Sequence, residues 1–196
     1  MYDYIKGLLV EANPAEAIIE AGGIGFRILI SLSSFTDIET SVGHTAKLYI
    51  YHHLREDDEA LYGFSTKEER ELFTMLISVN GVGCGTARMM LSSMSQEELQ
   101  NAIVGQDLKK IKSIKGIGSK TAERIILELK DKVVKGTGRG FTVTAAISNP
   151  CRDEAFNALV LLGFTKANVE KAVDMVLKED PDVSLENLIK KSLKIL

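Results

Sequence analysis

Between residues 4 and 64 apolar positions come in short runs that alternate with polar ones, whereas beyond residue 65 they recur every three to four positions. The runs YIKGLLVE (4–11), EAIIEAGG (16–23), IGFRILISL (24–32) and AKLYIYHHL (46–54) are β-branched or aromatic. GG at 22–23 and REDDE at 55–59 supply turns. About five or six strands in so short a segment predict a small closed barrel. Near Ser65 the period becomes helical: Leu72, Phe73, Leu76, Ile77 and Val79 form one stripe, and Leu99, Ala102 and Ile103 another. DLKKIKSI (107–114) and TAERIILELKDKVV (121–134) continue it to about Lys135. KGTGRGFTVTAAISNP (135–150) has no amphipathic face and reads as a flexible linker. Beyond it, Ala155, Phe156, Leu159 and Leu162 predict a helix that stops at Gly163. Val169, Ala172, Val173 and Val176 predict a second helix, and Ser184 is placed to cap a third bearing Leu185, Leu188, Ile189 and Leu193. The expected chain is an α+β multidomain protein: a barrel at 1–64, an all-α domain at 65–135, a linker at 136–150 and a three-helix domain at 151–196.

Composition narrows the class. Of the 196 residues 45% are hydrophobic and 26% charged, ordinary for a soluble protein. No apolar run approaches the roughly 18–20 residues of a membrane span, and the N-terminus lacks the layout of a signal peptide. Cys84 and Cys151 lie far apart without metal-ligand spacing, which suits free thiols in a reducing cytoplasm. His52 and His53 are neighbours on a strand and point to opposite faces, so they chelate one ion poorly. No cofactor or metal is expected. The net charge of −3 conceals an uneven distribution. Residues 1–65 carry 4 Lys/Arg against 10 Asp/Glu, residues 107–139 carry 10 against 4, and residues 151–196 carry 7 against 8. A polyanionic partner is therefore expected at the middle of the chain.

That middle contains an internal repeat. Moving NGVGCGTARMML (80–91) forward by 35 positions places it on KGIGSKTAERII (115–126). Gly81, Gly83, Thr86 and Ala87 then coincide with Gly116, Gly118, Thr121 and Ala122, and upstream Phe73, Leu76 and Val79 fall on Leu108, Ile111 and Ile114. Each copy is a helix, a tight G-h-G turn and a helix. The first glycine allows positive φ, the second clears space for close approach, and the next helix aims its free N–H groups and dipole at an anion. Lys120 and Arg124 add charge and Thr121 a hydroxyl. This arrangement resembles the helix-hairpin-helix motif, which grips a DNA phosphate without reading sequence. A nucleotide-binding P-loop fits poorly. Ile114 stands where its first glycine belongs, Ser119 precedes Lys120, and DLKKIKSI is a basic helix rather than a buried strand. The bland alternative is a pair of interhelical turns with no ligand.

The acidic tip at Glu56, Asp57, Asp58 and Glu59 admits three readings. It could be a solvated turn, a carboxylate set for Mg²⁺-dependent phosphodiester cleavage, or a negative wedge that pushes phosphate strands apart.

Taken together, GGIGFRILI, LREDDEALYGF, NGVG, GIGSKTAERIILELKDK and the weaker ALVLLGFTKANVEKAV resemble, over the whole chain, the RuvA family of bacterial branch-migration proteins. The resemblance implies an OB-fold barrel, a domain of two helix-hairpin-helix motifs and a mobile UBA-like three-helix domain. It implies a homotetramer or octamer that holds four-way junction DNA open and square-planar in recombination and repair. It places an acidic pin at Glu56 and Asp57, and phosphate contacts at Gly81, Gly83, Gly85, Thr86, Gly116, Gly118, Lys120, Thr121 and Arg124. The third domain would dock on a RuvB-type hexameric ATPase, for which Leu161, Leu162, Gly163 and Phe164 offer an apolar patch, and a RuvC-type junction nuclease would join the assembly. The chain departs from the pattern at Gly85 and Ser119, where the family often has lysine. The competing classes are a helix-hairpin-helix nuclease using residues 56–59 and a protein–protein scaffold.

Overall fold

The computed structural model describes residues 2–56, 58–136, 150–181 and 183–196. The chain divides into two compact units, Met1–Gly140 and Phe141–Leu196.

The first unit begins with five strands, β1 (Tyr4–Asn13), β2 (Glu16–Ala21), β3 (Ile24–Ile30), β4 (Thr45–Leu54) and β5 (Glu59–Phe64). They close into a barrel in the order β1-β2-β3-β5-β4. All pairs are antiparallel except β3 with β5, joined at Leu29↔Tyr62 and Ile30↔Gly63. Alternation puts Ile5, Leu9, Ile19, Ile28, Ile30, Leu48 and Ile50 into the barrel core. The β2–β3 turn is made by Gly22 and Gly23, both at positive φ, as the GG pair led one to expect. The sequence patterns did not disclose a short helix, α1 (Leu32–Ile38), whose N-terminus is capped by the Ser31 side chain.

Five helices follow in the same unit: α2 (Lys67–Ile77), α3 (Cys84–Ser93), α4 (Gln96–Val104), α5 (Leu108–Lys112) and α6 (Ser119–Gly136). Leu72, Phe73 and Leu76 of α2 pack with Met90, Ile103, Ile125 and Leu129. The same core takes in Tyr62 and Phe64 from β5, with the Phe64 and Phe73 rings 4.8 Å apart. Strand β5 thus lends two side chains to the core of the helical layer, while the barrel isoleucines keep a core of their own.

Polar contacts fix the two layers further. The Ser31 and Ser34 hydroxyls donate to the Glu69 carboxylate at 2.5 and 2.6 Å, and the Ser65 amide donates to Ser34 Oγ at 2.9 Å. Glu69 is buried, and that burial pushes its carboxyl up from the ordinary value while the serine hydroxyls pull it down. Arg70 donates to the Asp3 carboxylate at 2.7 Å, and Arg88 on α3 donates to the Ala15 carbonyl in the β1–β2 turn at 2.9 Å.

The second unit is a three-helix bundle of α7 (Pro150–Leu161), α8 (Lys166–Glu179) and α9 (Leu185–Leu193). Ala155, Leu159, Val169, Val173, Val176 and Leu188 form its core. Helix α7 ends in a Schellman motif, with Gly163 at φ 101°, its N–H on Val160 and the Phe164 N–H on Leu159. Two details differ from expectation. Leu162, expected within the helix, follows its last residue, with its N–H still on the Ala158 carbonyl at 3.0 Å and its side chain 63% exposed. Ser184 occupies the N-cap of α9 without a side-chain bond, and only its carbonyl engages, accepting from Leu188 at 2.8 Å. The expected linker falls almost wholly outside the described residues, since α6 runs to Gly136 and α7 starts at Pro150.

Candidate nucleic-acid interface

The repeat read from sequence is a repeat of hydrogen bonds. Val79 donates to Leu76 and Ile114 to Ile111; Val82 donates to Val79 and Ile117 to Ile114; Ala87 donates to Gly83 and Ala122 to Gly118. Even the hydroxyls match, with Ser78 Oγ on Met75 and Ser113 Oγ on Lys110, both at 2.7 Å. Gly81 and Gly116 hold φ of 93° and 89°, a region costly for any residue with a Cβ. Val82 and Ile117, between the paired glycines, are buried and pin each turn to the core.

The helix that leaves each turn follows a glycine, which has no side chain to cap it. Helices α1, α2, α4 and α5 begin at Ser31, Thr66, Ser95 and Asp107, whose side chains satisfy first-turn amides. Helix α3 begins at Gly83, which has extended backbone and no side-chain bond, and α6 follows Gly118. Two helix N-termini therefore present amides and a positive dipole end beside exposed glycines. A Cβ added at Gly83, Gly85 or Gly118 would meet nothing within 4 Å. Glycine is thus demanded by φ at Gly81 and Gly116, whereas Gly118 leaves an approach open.

Around these turns Lys109, Lys112, Lys115 and Lys120 are exposed. Thr86 and Thr121 are half-buried, and Thr121 Oγ1 lies 3.9 Å from where a Gly81 Cβ would stand, so the second motif abuts the first. Arg124 reaches back across that seam to the Asn80 carbonyl at 3.1 Å.

The acidic tip joins β4 to β5, and the Arg55 amide donates to the Asp58 carbonyl at 2.8 Å. Glu56 is exposed; Asp57 lies outside the described residues. Its other acids pair at the base, Glu59 with His52 at 2.9 Å and Asp58 with His53 at 3.8 Å. The two histidines face apart as expected, His52 beside Tyr2 and His53 beside Tyr62. His53 Nδ1 also lies 3.5 Å from Cys84 Sγ at the start of α3, which joins the tip's base to the first hairpin. Among the described residues no group of three or more His, Cys, Asp or Glu is arranged to hold a metal. In the second unit Leu161 is 88% exposed beside Leu162, Gly163 turns the chain, and Phe164 packs partly into the core.

The sequence did not reveal Glu69 as the link between layers. Thr66 and Glu69 show the spacing of a capping box, and Thr66 Oγ1 does accept from the Glu69 amide. The Glu69 carboxylate, however, is drawn to the serines of α1, a helix the sequence patterns did not show.

Family profiles match the chain in three places: the RuvA N terminal domain at residues 1–63, a SAM-like helix-hairpin-helix tandem at 73–131, and the RuvA C-terminal domain at 151–196. A protein of Christiangramia forsetii is 46% identical over 196 residues, covering all of both chains. One of Bacteroides fragilis is 44% identical over 203 residues and one of Cytophaga hutchinsonii 42% over 200, again at full coverage. This chain belongs to the RuvA family. Those three relatives carry the name Holliday junction branch migration complex subunit RuvA. The RuvA profiles fall on the barrel and on the three-helix bundle, and the tandem profile on the two hairpins. None of the described helices is long and apolar enough to cross a membrane.

Proposed function

We propose that this protein binds four-way DNA junctions by structure rather than sequence, and holds them for branch migration driven by a separate ATPase. The observation that carries the reading is the pair of helix N-termini that follow a glycine, Gly83 and Gly118, in a chain whose full-length relatives are named for the junction branch-migration complex. Backbone amides grip phosphate and carry no base information, so recognition rests on where the phosphates lie. The contacts are Gly81, Gly83, Gly85, Thr86, Gly116, Gly118, Lys120, Thr121 and Arg124. A homotetramer would set eight hairpins around one junction, with Glu56 and Asp57 repelling strands at its centre. The chain itself is non-catalytic in this reading. Residues 151–196 form a separate motor-docking domain, its Leu161 and Leu162 meeting a RuvB-type hexamer, and a RuvC-type nuclease shares the platform. All of this proceeds in the cytoplasm.

The test is a mobility shift comparing a four-way junction with a duplex of equal length at fixed salt. Strong preference for the junction, with affinity falling steeply as salt rises, is expected. Equal affinity for both would defeat the reading, and strand cleavage with Mg²⁺ would favour a nuclease instead.

A further inference from the structure

The two hairpins share a backbone but not their charges. The displacement by 35 places Lys115 on Asn80, Ser119 on Cys84, Lys120 on Gly85 and Arg124 on Met89. Copy two thus has three cations around its turn where copy one has none at the matching positions. The one arginine within α3, Arg88, is turned away to the barrel, donating to the Ala15 carbonyl at 2.9 Å. By its own residues the first hairpin is a neutral cradle.

Arg124 alters this. From α6 it crosses 44 residues of sequence to donate from Nη1 to the carbonyl of Asn80, the residue just before Gly81. Its Nε lies 3.9 Å from Glu128, and its side chain is half exposed. The repeat has no counterpart to this bond, because the position matching Arg124 is Met89, which cannot donate. We propose that Arg124 serves the first hairpin, fixing the Asn80–Gly81 turn through that carbonyl and supplying the cation which the turn lacks. A guanidinium suits both tasks, since one N–H engages the carbonyl while the remaining donors and the charge stay available to an anion. The neutral Gly85 is thereby offset from the neighbouring motif, and the two hairpins act as one clamp whose spacing Arg124 maintains. The DNA arm of this inference rests on the junction-binding reading; its structural arm does not.

The experiment uses the full chain with Arg124→Met, which installs the residue of the first copy, and with Arg124→Lys. Amide hydrogen exchange is measured first, without DNA. Val82 and Ala87 report on the first turn, Ile117 and Ala122 on the second. Loss of the carbonyl bond should speed exchange at Val82 and Ala87 about fivefold in R124M while Ile117 and Ala122 hold. Junction titrations then pair R124M with Gly83→Ala and, separately, with Gly118→Ala. The Gly83 variant should cost less in the R124M background than alone, and the Gly118 variant the same in both. R124K should restore the salt slope, which drops by about 0.9 in R124M, without restoring protection at Val82. Unchanged exchange at Val82 and Ala87, or coupling to Gly118 alone, would overturn the proposal. If the parent protein showed no junction preference, the functional reading would fail while the exchange result still judged the role of Arg124.

Discussion

Two glycines of one hairpin, Gly116 and Gly118, separate folding from binding. Gly116 sits at φ 89° with nothing within 4 Å of an added Cβ, so Gly116→Ala meets no clash and only the cost of a left-handed backbone, about 1–2 kcal/mol. The reduced entropy of the unfolded chain returns roughly 0.4–1 kcal/mol, leaving a net loss near 1 kcal/mol. Gly118 has no such φ and equally open space. For Gly118→Ala the same entropic gain opposes a slightly poorer N-cap, and stability should stay within about 0.5 kcal/mol of the parent. In the proposed contact, however, its methyl would stand between a phosphate and the first amides of α6. Losing one charge-assisted hydrogen bond of roughly 1.5–3 kcal/mol weakens binding about tenfold to a hundredfold. Lys120→Ala removes an exposed, screened charge, for which about fivefold and a shallower salt slope are expected. Urea denaturation and junction titration on all three variants supply the numbers. Parental junction affinity in the Gly118 variant, or a larger loss for the lysine variant, would refute backbone gripping as the main term.

Three further outcomes are expected. A chain ending at Lys135, or one carrying Leu161→Ser and Leu162→Ser, should keep junction binding and lose stimulation of the partner ATPase; the exposed leucines should cost less than about 0.5 kcal/mol of stability. Glu56→Gln with Asp57→Asn should raise affinity for linear duplex more than for junction, narrowing the preference seen in paired titrations, and an unchanged ratio would remove the repulsive role. For Glu69 burial raises the folded carboxyl above its ordinary 4.5, so the native state holds the extra proton between these values. Its contribution is therefore complete below about pH 4.5 and is lost as pH rises through the folded value. Parent and Glu69→Gln, denatured at pH 7 and pH 5, should differ more in favour of the parent at pH 5, and a difference independent of pH would contradict this sign.

What could be read from the sequence followed from local periodicity. The strands of the barrel, the stripe Leu72–Phe73–Leu76 and the doubled turn all depend on residues close in sequence, and all lie where the patterns put them. Even the positive φ at Gly81 and Gly116 was implied by a glycine at each tight turn. Less legible were contacts between segments far apart. Helix α1 is only 7 residues long, too short to show a period, and its serines matter because Glu69, 35 and 38 residues away, meets them. The Arg124 bond to Asn80 and the His53 contact with Cys84 were hidden for the same reason.

The change of period near Ser65 marks where strand gives way to helix, but the hydrophobic core does not divide there. Tyr62 and Phe64 belong to β5, yet they are buried with Phe73 and the hairpin helices rather than among the barrel isoleucines. A barrel cut after residue 64 would uncover both rings, and a helical domain cut free would lose the aromatic wall against which Phe73 sits, 4.8 Å from Phe64 and 5.3 Å from Tyr62. Each ring buries of order 150–250 Å², so separation exposes several kcal/mol of apolar surface on both sides at about 25 cal/mol/Å². Layers joined at that cost, and by a buried carboxylate that cannot exchange its serines for water without rearrangement, behave as one body. That matters for a device that works by position. The acidic tip sits on the barrel and the two glycine turns on the helices, so the packing of Tyr62 and Phe64 against Phe73 sets their separation. Residues 151–196 fold around a core of their own.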